Sequence, residues 1–264
     1  MEEKREPYIV LRRAPKQALE SKNRIIVALD VDDVRKAMEL VDLLRDHVGA
    51  FKIGLEFNTS SFAKLVTTDA TSLNALWYGL AQLFDKFEGR LMYDGKFDDI
   101  PKTMAGAAKG LAPINPMFFT VHASATIDGM MAAVANKGES KVLAVTVLTS
   151  IEENEAHLDF GSPSKAKVLQ YARDAMLAGC DGIVCSPKEL ELLAKRPELK
   201  SLIKVTPGVR PAGADVGDQK RVMTPGEAIK AGADYLVIGR PITDAQDPVN
   251  AADAIAKEIE EATK

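Results

Sequence analysis

Between residues 94 and 103 the chain reads DGKFDDIPKT, which sets Asp94 two residues before Lys96 and Asp99 three residues after it. An ammonium with carboxylate neighbours keeps its proton. Held in a site closed to water, it stabilises negative charge developing beside it and can donate a proton there. Taken alone such a string is common, and most copies are solvated surface charge. A second lysine sharpens the signal. Lys52 lies inside the apolar run AFKIGL (50–55), where an ammonium is costly unless it is paired. Asp30, closing the run RIIVAL (24–29), and Asp94 are the carboxylates that could pair it.

Such side chains meet only if the backbone brings them together. Apolar, β-branched runs recur at 24–29, 50–55, 90–94, 118–123, 142–148, 182–185, 202–206 and 235–239. They are continuous rather than alternating, the pattern of strands covered on both faces. Between them lie segments of helical period. In VDDVRKAMELVDLLRDHV the apolar residues Val34, Met38, Val41, Leu44 and Val48 follow a repeat near 3.6. SPSKAKVLQYARDAMLAGC opens on Ser-Pro and stops at Gly179, suitable start and end signals. Further helices are expected at 73–87, 101–109, 126–136, 187–195, 225–231 and 250–262. Eight strands alternating with eight helices predict an α/β fold, a (β/α)8 TIM barrel in a single domain. A doubly wound sheet is the alternative, but the first turn, ALDVDDV, lacks a Gly-rich dinucleotide fingerprint. The barrel is expected over 23–264, with 1–22 as an arm and an elaborated loop or extra helix in the polar stretch 56–75.

Barrel active sites lie at the C-terminal ends of the strands. Successive strand ends here deliver Asp30, then Lys52, then Asp94, Lys96 and Asp99, then His122, then Thr149 and Ser150. The last loops, TPGVRPAGADVGDQKRVMTP and IGRPITDA, carry Gly208, Arg210, Gln219, Gly239 and Arg240. Loops at this position often hold phosphate, with glycines admitting close backbone approach and arginines adding charged donors. The Gly/Ala-rich run 212–217 reads as a loop that closes over a ligand.

Composition excludes several classes. The chain has 264 residues, 34 Lys+Arg against 38 Asp+Glu, and a formal charge of −4. That balance disfavours a nucleic-acid or membrane-surface partner, and no apolar stretch approaches the length of a membrane span. The charged N-terminus has no apolar signal core, so cytoplasmic residence is expected. Two cysteines, Cys180 and Cys185, cannot build a disulfide framework and read as buried small hydrophobes. No ligand spacing suggests a metal, and no cofactor site is expected. His122 reads as a packed, hydrogen-bonded histidine, and Asp98 as a loop carboxylate.

DGKFDDIPKT resembles the D-x-K-x-x-D-I-x-x-T signature of the orotidine 5′-phosphate decarboxylases, and the likeness runs over nearly the whole chain. It takes in VALD (27–30), FKIG (51–54), TVHAS (120–124), TVLTS (146–150), TPGVRP (206–211), GDQKR (217–221) and VIGRP (237–241). The set looks most like the bacterial branch. The resemblance implies cofactor-free decarboxylation of orotidine 5′-monophosphate in pyrimidine biosynthesis. Lys96 would protonate C6 and Asp94 would face the departing carboxylate, with Lys52 completing the charged array. Asp30 and Lys52 would grip the ribose. Asp99, followed by Ile100 and Thr103 of the signature, would cross a homodimer interface into the partner's site. Thr149 would contact the pyrimidine, and Arg210, Gln219, Gly239 and Arg240 the phosphate. Two departures stand out: Ala125 and Thr126 follow Ser124 where paired glycines are usual, and the 56–75 segment is longer. Metal-dependent sugar-phosphate enzymes sharing the D-x-K-x-x-D string, a Lys96 Schiff-base aldolase and a silent phosphate-binding barrel are the competing readings.

Overall fold

The computed structural model of the chain describes residues 19–211 and 223–264. In chain order the elements are β1 (Ile25–Ala28), α1 (Val34–Leu44), β2 (Ala50–Ile53), α2 (Leu55–Thr67), α3 (Ala70–Lys86), β3 (Leu91–Phe97), α4 (Pro101–Leu111), β4 (Phe118–His122), α5 (Thr126–Ala135) and β5 (Lys141–Val145). There follow α6 (Glu153–Phe160), α7 (Ser164–Leu177), β6 (Gly182–Val184), α8 (Leu190–Ala194), β7 (Ile203–Pro207), α9 (Pro225–Lys230), β8 (Tyr235–Ile238), α10 (Arg240–Thr243) and α11 (Pro248–Thr263). The eight strands pair in sequence order, all parallel, and β8 closes on β1. The expected TIM barrel is present. Of the expected arm, residues 1–18 lie outside the described residues.

Strands covered on both faces need apolar side chains on both, and β1, β2 and β8 are buried at every position. Alternation along each strand divides these residues between two cores. Ile26, Ala28, Ala50, Met92, Phe118, Leu143, Val205, Tyr235 and Val237 fill the barrel. Ile25, Val27, Phe51, Ile53, Phe119, Val121 and Ile238 point outward against the helices. At the bottom, Phe118 meets Tyr235 edge-on, with ring centroids 5.2 Å apart. The interior below the mouth is therefore packed.

The helices follow their local signals. Asp33 caps α1 by accepting from the Arg35 and Lys36 amides, and Val34, Ala37, Leu40, Val41 and Leu44 form its buried stripe. The polar 56–75 stretch contains an extra helix: α2 starts directly after β2, and Asp69 caps α3 at the Thr71 and Ser72 amides. A second addition, α6, buries only Ala156, so it carries no apolar periodicity to read. The segment expected as a helix over 187–195 divides into a 3-10 turn at Pro187–Glu189 and the short α8.

The Ala125–Thr126 departure has a conformational consequence. Thr126 adopts φ 69° and ψ 167°, a region that costs a β-branched residue of order 1–3 kcal/mol. Replacing it with glycine removes that strain and adds about 0.5–1 kcal/mol of backbone entropy loss. Thr126→Gly is thus expected to stabilise the fold by about 1 kcal/mol in urea unfolding; unchanged or lower stability would contradict the strained assignment.

Candidate active site

At the C-terminal mouth the side chains of β1, β2 and β3 converge. Parallel pairing sets Ala28 beside Lys52 and Lys52 beside Met92, so the residues that end these strands share one face. Lys52, 8% exposed, reaches Asp30 at 2.8 Å and Asp94 at 3.7 Å. Lys96 reaches the same Asp94 Oδ2 at 2.6 Å. Asp94 is itself 8% exposed. A lone buried carboxylate would cost several kcal/mol; here two ammonium groups flank it. The cluster holds two lysines and two aspartates, so its charges sum to zero.

Lys96 owes its position to an irregularity. The β3–β4 register shifts between Tyr93 and Phe97, and Lys96 has φ 47°, left-handed for a non-glycine residue. Gly95 makes this turn possible: a Cβ there would stand 2.7 Å from the Tyr93 ring and 2.8 Å from that of Phe97. Those rings pack outside the barrel, while Asp94 and Lys96 face the mouth. The fully buried Thr120 of β4 donates from Oγ1 to Asp94 Oδ1 at 2.8 Å and accepts from the Lys96 amide at 2.9 Å. Thr120 escaped notice in the sequence; the signal was a polar residue within the apolar run FFTVH.

Above the array lies a cavity of about 210 Å³, lined by Lys52, Met92, Asp94, Lys96, Val145, Val147, Leu148, Thr149, Val184, Cys185, Pro207 and Val237. Its apolar wall faces the charges, a geometry suited to a flat ring with one reactive edge. The Lys96 side chain is 32% exposed, so its ammonium is open to a ligand. Burial pushes the Cys185 thiol up to about 12, which removes it as a thiolate nucleophile at neutral pH. A second hollow, outside the barrel beside Trp77, Phe84 and Ile114, is apolar and contains no comparable charge cluster.

The other expected residues divide by location. Thr149 lines the cavity. Gly239 and the exposed Arg240 open α10 at the end of β8. Gly208 follows β7 with φ 79°, and the half-buried Arg210 anchors its guanidinium on the Val209 carbonyl at 3.0 Å. Gln219 and the whole 212–217 run lie outside the described residues. Asp99 does not join the charged array within this chain. Its exposed carboxylate accepts from the Ile100 amide at 2.7 Å, beside an Ile100 side chain 65% exposed. Thr103, one turn into α4, is also exposed. Asp98 is better held than a loop carboxylate need be, for Ser124 Oγ donates to it at 2.6 Å. Among the described residues no group of three or more His, Cys, Asp and Glu side chains is arranged to hold a metal ion, and no helix is long and apolar enough to cross a membrane.

A sequence model described as the orotidine 5′-phosphate decarboxylase / HUMPS family matches residues 23–255. The chain belongs to this family. Among curated relatives, the orotidine 5′-phosphate decarboxylase of Moorella thermoacetica is 43% identical over 255 residues, covering 92% of this chain and 94% of that protein. The one from Rhodopseudomonas palustris (strain BisA53) is 44% identical over 249 residues, 93% of this chain and 98% of its own. A crystal structure of the Lactobacillus acidophilus orotidine 5′-phosphate decarboxylase superposes with a TM-score of 0.71 at 30% identity, covering 89% of this chain and 98% of that one. Membership of the orotidine 5′-phosphate decarboxylase / HUMPS family accounts for the recurrence of strand-end motifs along the whole barrel.

In this family member His122 is half-buried, with Nδ1 2.8 Å from Ser124 Oγ. Because Ser124 gives its one proton to Asp98, it accepts from an Nδ1–H tautomer. Burial holds the imidazole below its usual 6.5; Asp98 opposes this and Lys96 adds to it. With a folded value below the unfolded one, the unfolded chain binds the proton better. This group's stabilisation is therefore complete above about pH 6.5 and declines as pH falls through that value. Nitrogen-15 NMR should find a neutral ring protonated at Nδ1 at pH 7, with a midpoint below 6.5. A higher midpoint, or an Nε2–H ring, would contradict this arrangement.

Proposed function

We propose that the chain decarboxylates orotidine 5′-monophosphate to uridine 5′-monophosphate and CO2, a step of de novo pyrimidine synthesis, with Lys96 as the proton donor. The observation that carries this reading is the Lys52–Asp94–Lys96 array at the mouth of a cavity with an opposing apolar wall. The relatives' names support the substrate. Breaking the bond between C6 and the carboxylate leaves an electron pair on C6. The Lys96 ammonium stands beside that charge and transfers one proton to it, ending as a neutral amine. Asp94 carries a fixed negative charge toward the substrate carboxylate, and departure of CO2 relieves the repulsion. Stabilisation of the carbanion by a nearby ammonium follows from Coulomb's law.

The remaining roles belong to the same proposal. Asp30 and Lys52 bind the ribose hydroxyls, Thr149 contacts the pyrimidine, and Arg210, Gln219, Gly239 and Arg240 hold the phosphate. Phosphate binding remote from C6 contributes to the lowering of the barrier through loop closure. Asp99 acts in the partner's site of a homodimer; among the described residues its carboxylate makes no ion pair with a lysine, and it lies exposed beside the exposed Ile100, which supports that assignment. The reaction as written uses no cofactor or metal. The same reading puts the protein in the cytoplasm, where reducing conditions suit its buried cysteines.

The direct test is the absorbance of orotidine 5′-monophosphate on adding the wild-type protein in excess chelator. Loss of the substrate band supports the reading; no change, or loss only with added magnesium, refutes it. Lys96→Ala should abolish turnover while leaving uridine 5′-monophosphate affinity within about tenfold, or ~1.4 kcal/mol. Turnover of that variant at the wild-type rate would remove Lys96 from its role. Mixing inactive Asp99→Ala and Lys96→Ala chains should restore one working site per heterodimer. No recovery after verified subunit exchange would count against the shared site.

A further inference from the structure

The residues around the charged array include one that touches neither the cavity nor solvent. We propose that Thr120 is a positioning residue for the proton donor: its hydroxyl fixes both the Lys96 backbone and the orientation of the Asp94 carboxylate, and thereby sets the rate of the chemical step. The proposal rests on the decarboxylase reading given above.

The hydrogen-bond inventory of a hydroxyl is short: one proton to donate and two lone pairs to accept with. The Lys96 amide can only donate, so Thr120 Oγ1 accepts from it at 2.9 Å. The Thr120 proton is then directed to Asp94 Oδ1, 2.8 Å away. One carboxylate oxygen is thus taken from beneath. Oδ2 is left facing Lys96 at 2.6 Å and Lys52 at 3.7 Å. The same hydroxyl therefore decides which oxygen meets the ammonium groups and where the chain carrying Lys96 turns.

That turn needs holding. Lys96 has φ 47°, and a non-glycine residue in the left-handed region persists only where its surroundings over-determine it. The ladder cannot do this, because its register breaks between Tyr93 and Phe97. The Lys96 amide takes the threonine oxygen where a regular strand would offer a carbonyl. Thr120 is 0% exposed and lies in β4 between Phe119 and Val121, both fully buried, so its side chain has no freedom to follow a moving loop. Lys96 is held at its backbone by this bond and at its tip by Asp94. Without the hydroxyl, the turn can relax and carry the ammonium away from the reacting carbon. Displacements of about 1 Å can cost a hundredfold in rate.

Thr120→Val keeps the shape and removes the hydroxyl, whereas Thr120→Ser keeps the hydroxyl and removes a methyl group. Valine should lower kcat about a hundredfold, with uridine 5′-monophosphate affinity within threefold of wild type. Serine should keep kcat within threefold. Valine should also accelerate hydrogen exchange of the Lys96 amide, with serine retaining the protection. Should valine not fold, Thr120→Ala supplies the hydroxyl-free protein. The proposal fails if the hydroxyl-free variant turns over within threefold of wild type, if nucleotide affinity falls as much as kcat, or if serine is as impaired as valine. Absence of orotidine 5′-monophosphate turnover by the wild type would instead refute the functional reading. In that event the Lys96 amide still decides whether Thr120 holds the turn: unchanged exchange in the valine variant would show that it does not.

Discussion

Asp94 is a buried carboxylate that must stay charged to be useful, and the barrel mouth is organised around that demand. Taking one ion out of water costs several kcal/mol after relaxation. Lys52 is equally buried and has the same problem with opposite sign. Each makes the other tolerable, and Asp30 and Lys96 extend the pairing outward toward solvent. The array is neutral as a set, so it can sit on an apolar barrel without a large self-energy. A ligand that adds negative charge beside Lys96 and Asp94 disturbs this balance, and loss of that charge restores it.

The fold supplies the rigidity that such a balance requires. The bottom of the barrel is filled by Phe118, Tyr235 and their neighbours, and the cavity beside the charged array lies at the C-terminal mouth. β4 and the turn after it then hold the β3 loop at two heights: Thr120 at the level of Asp94 and Lys96, and Ser124 at Asp98 just before Asp99. Both points of backbone strain nearest the site, Lys96 and Thr126, lie on these two neighbouring segments. Strain of this kind persists where packing over-determines it, and here the polar contacts between β3 and β4 supply much of that constraint.

The charged array was legible in the sequence because a lysine or aspartate ending an apolar strand is too costly to be incidental. Lys52 and Asp94 announce each other in this way, and their separation in the chain implies a fold that reunites them. Asp99 was legible only as part of a motif. Spacing suggested that it would extend the lysine–aspartate alternation, but beyond the irregular end of β3 its exposed carboxylate accepts from the Ile100 amide and stands apart from the Lys52–Asp94–Lys96 array. Thr120 was hidden for a related reason: its partners are chosen by a register shift, which no period of two or 3.6 encodes. The extra helix α2 was anticipated as one of two possibilities, whereas α6, whose buried surface is a single alanine, has no pattern to detect.

In the proposed complex the reacting carbon of the pyrimidine sits against Lys96 while the phosphate lies at the arginine end of the mouth. A crystal structure of the wild-type protein with uridine 5′-monophosphate bound tests it directly. The expected result puts C6 within about 3–3.5 Å of Lys96 Nζ, a near-attack separation, with the ring against the Val145–Val184 wall and the phosphate on Arg240 and Arg210. A nucleotide whose phosphate occupies the Lys52–Asp94–Lys96 end, or whose C6 faces away from Lys96, would contradict it.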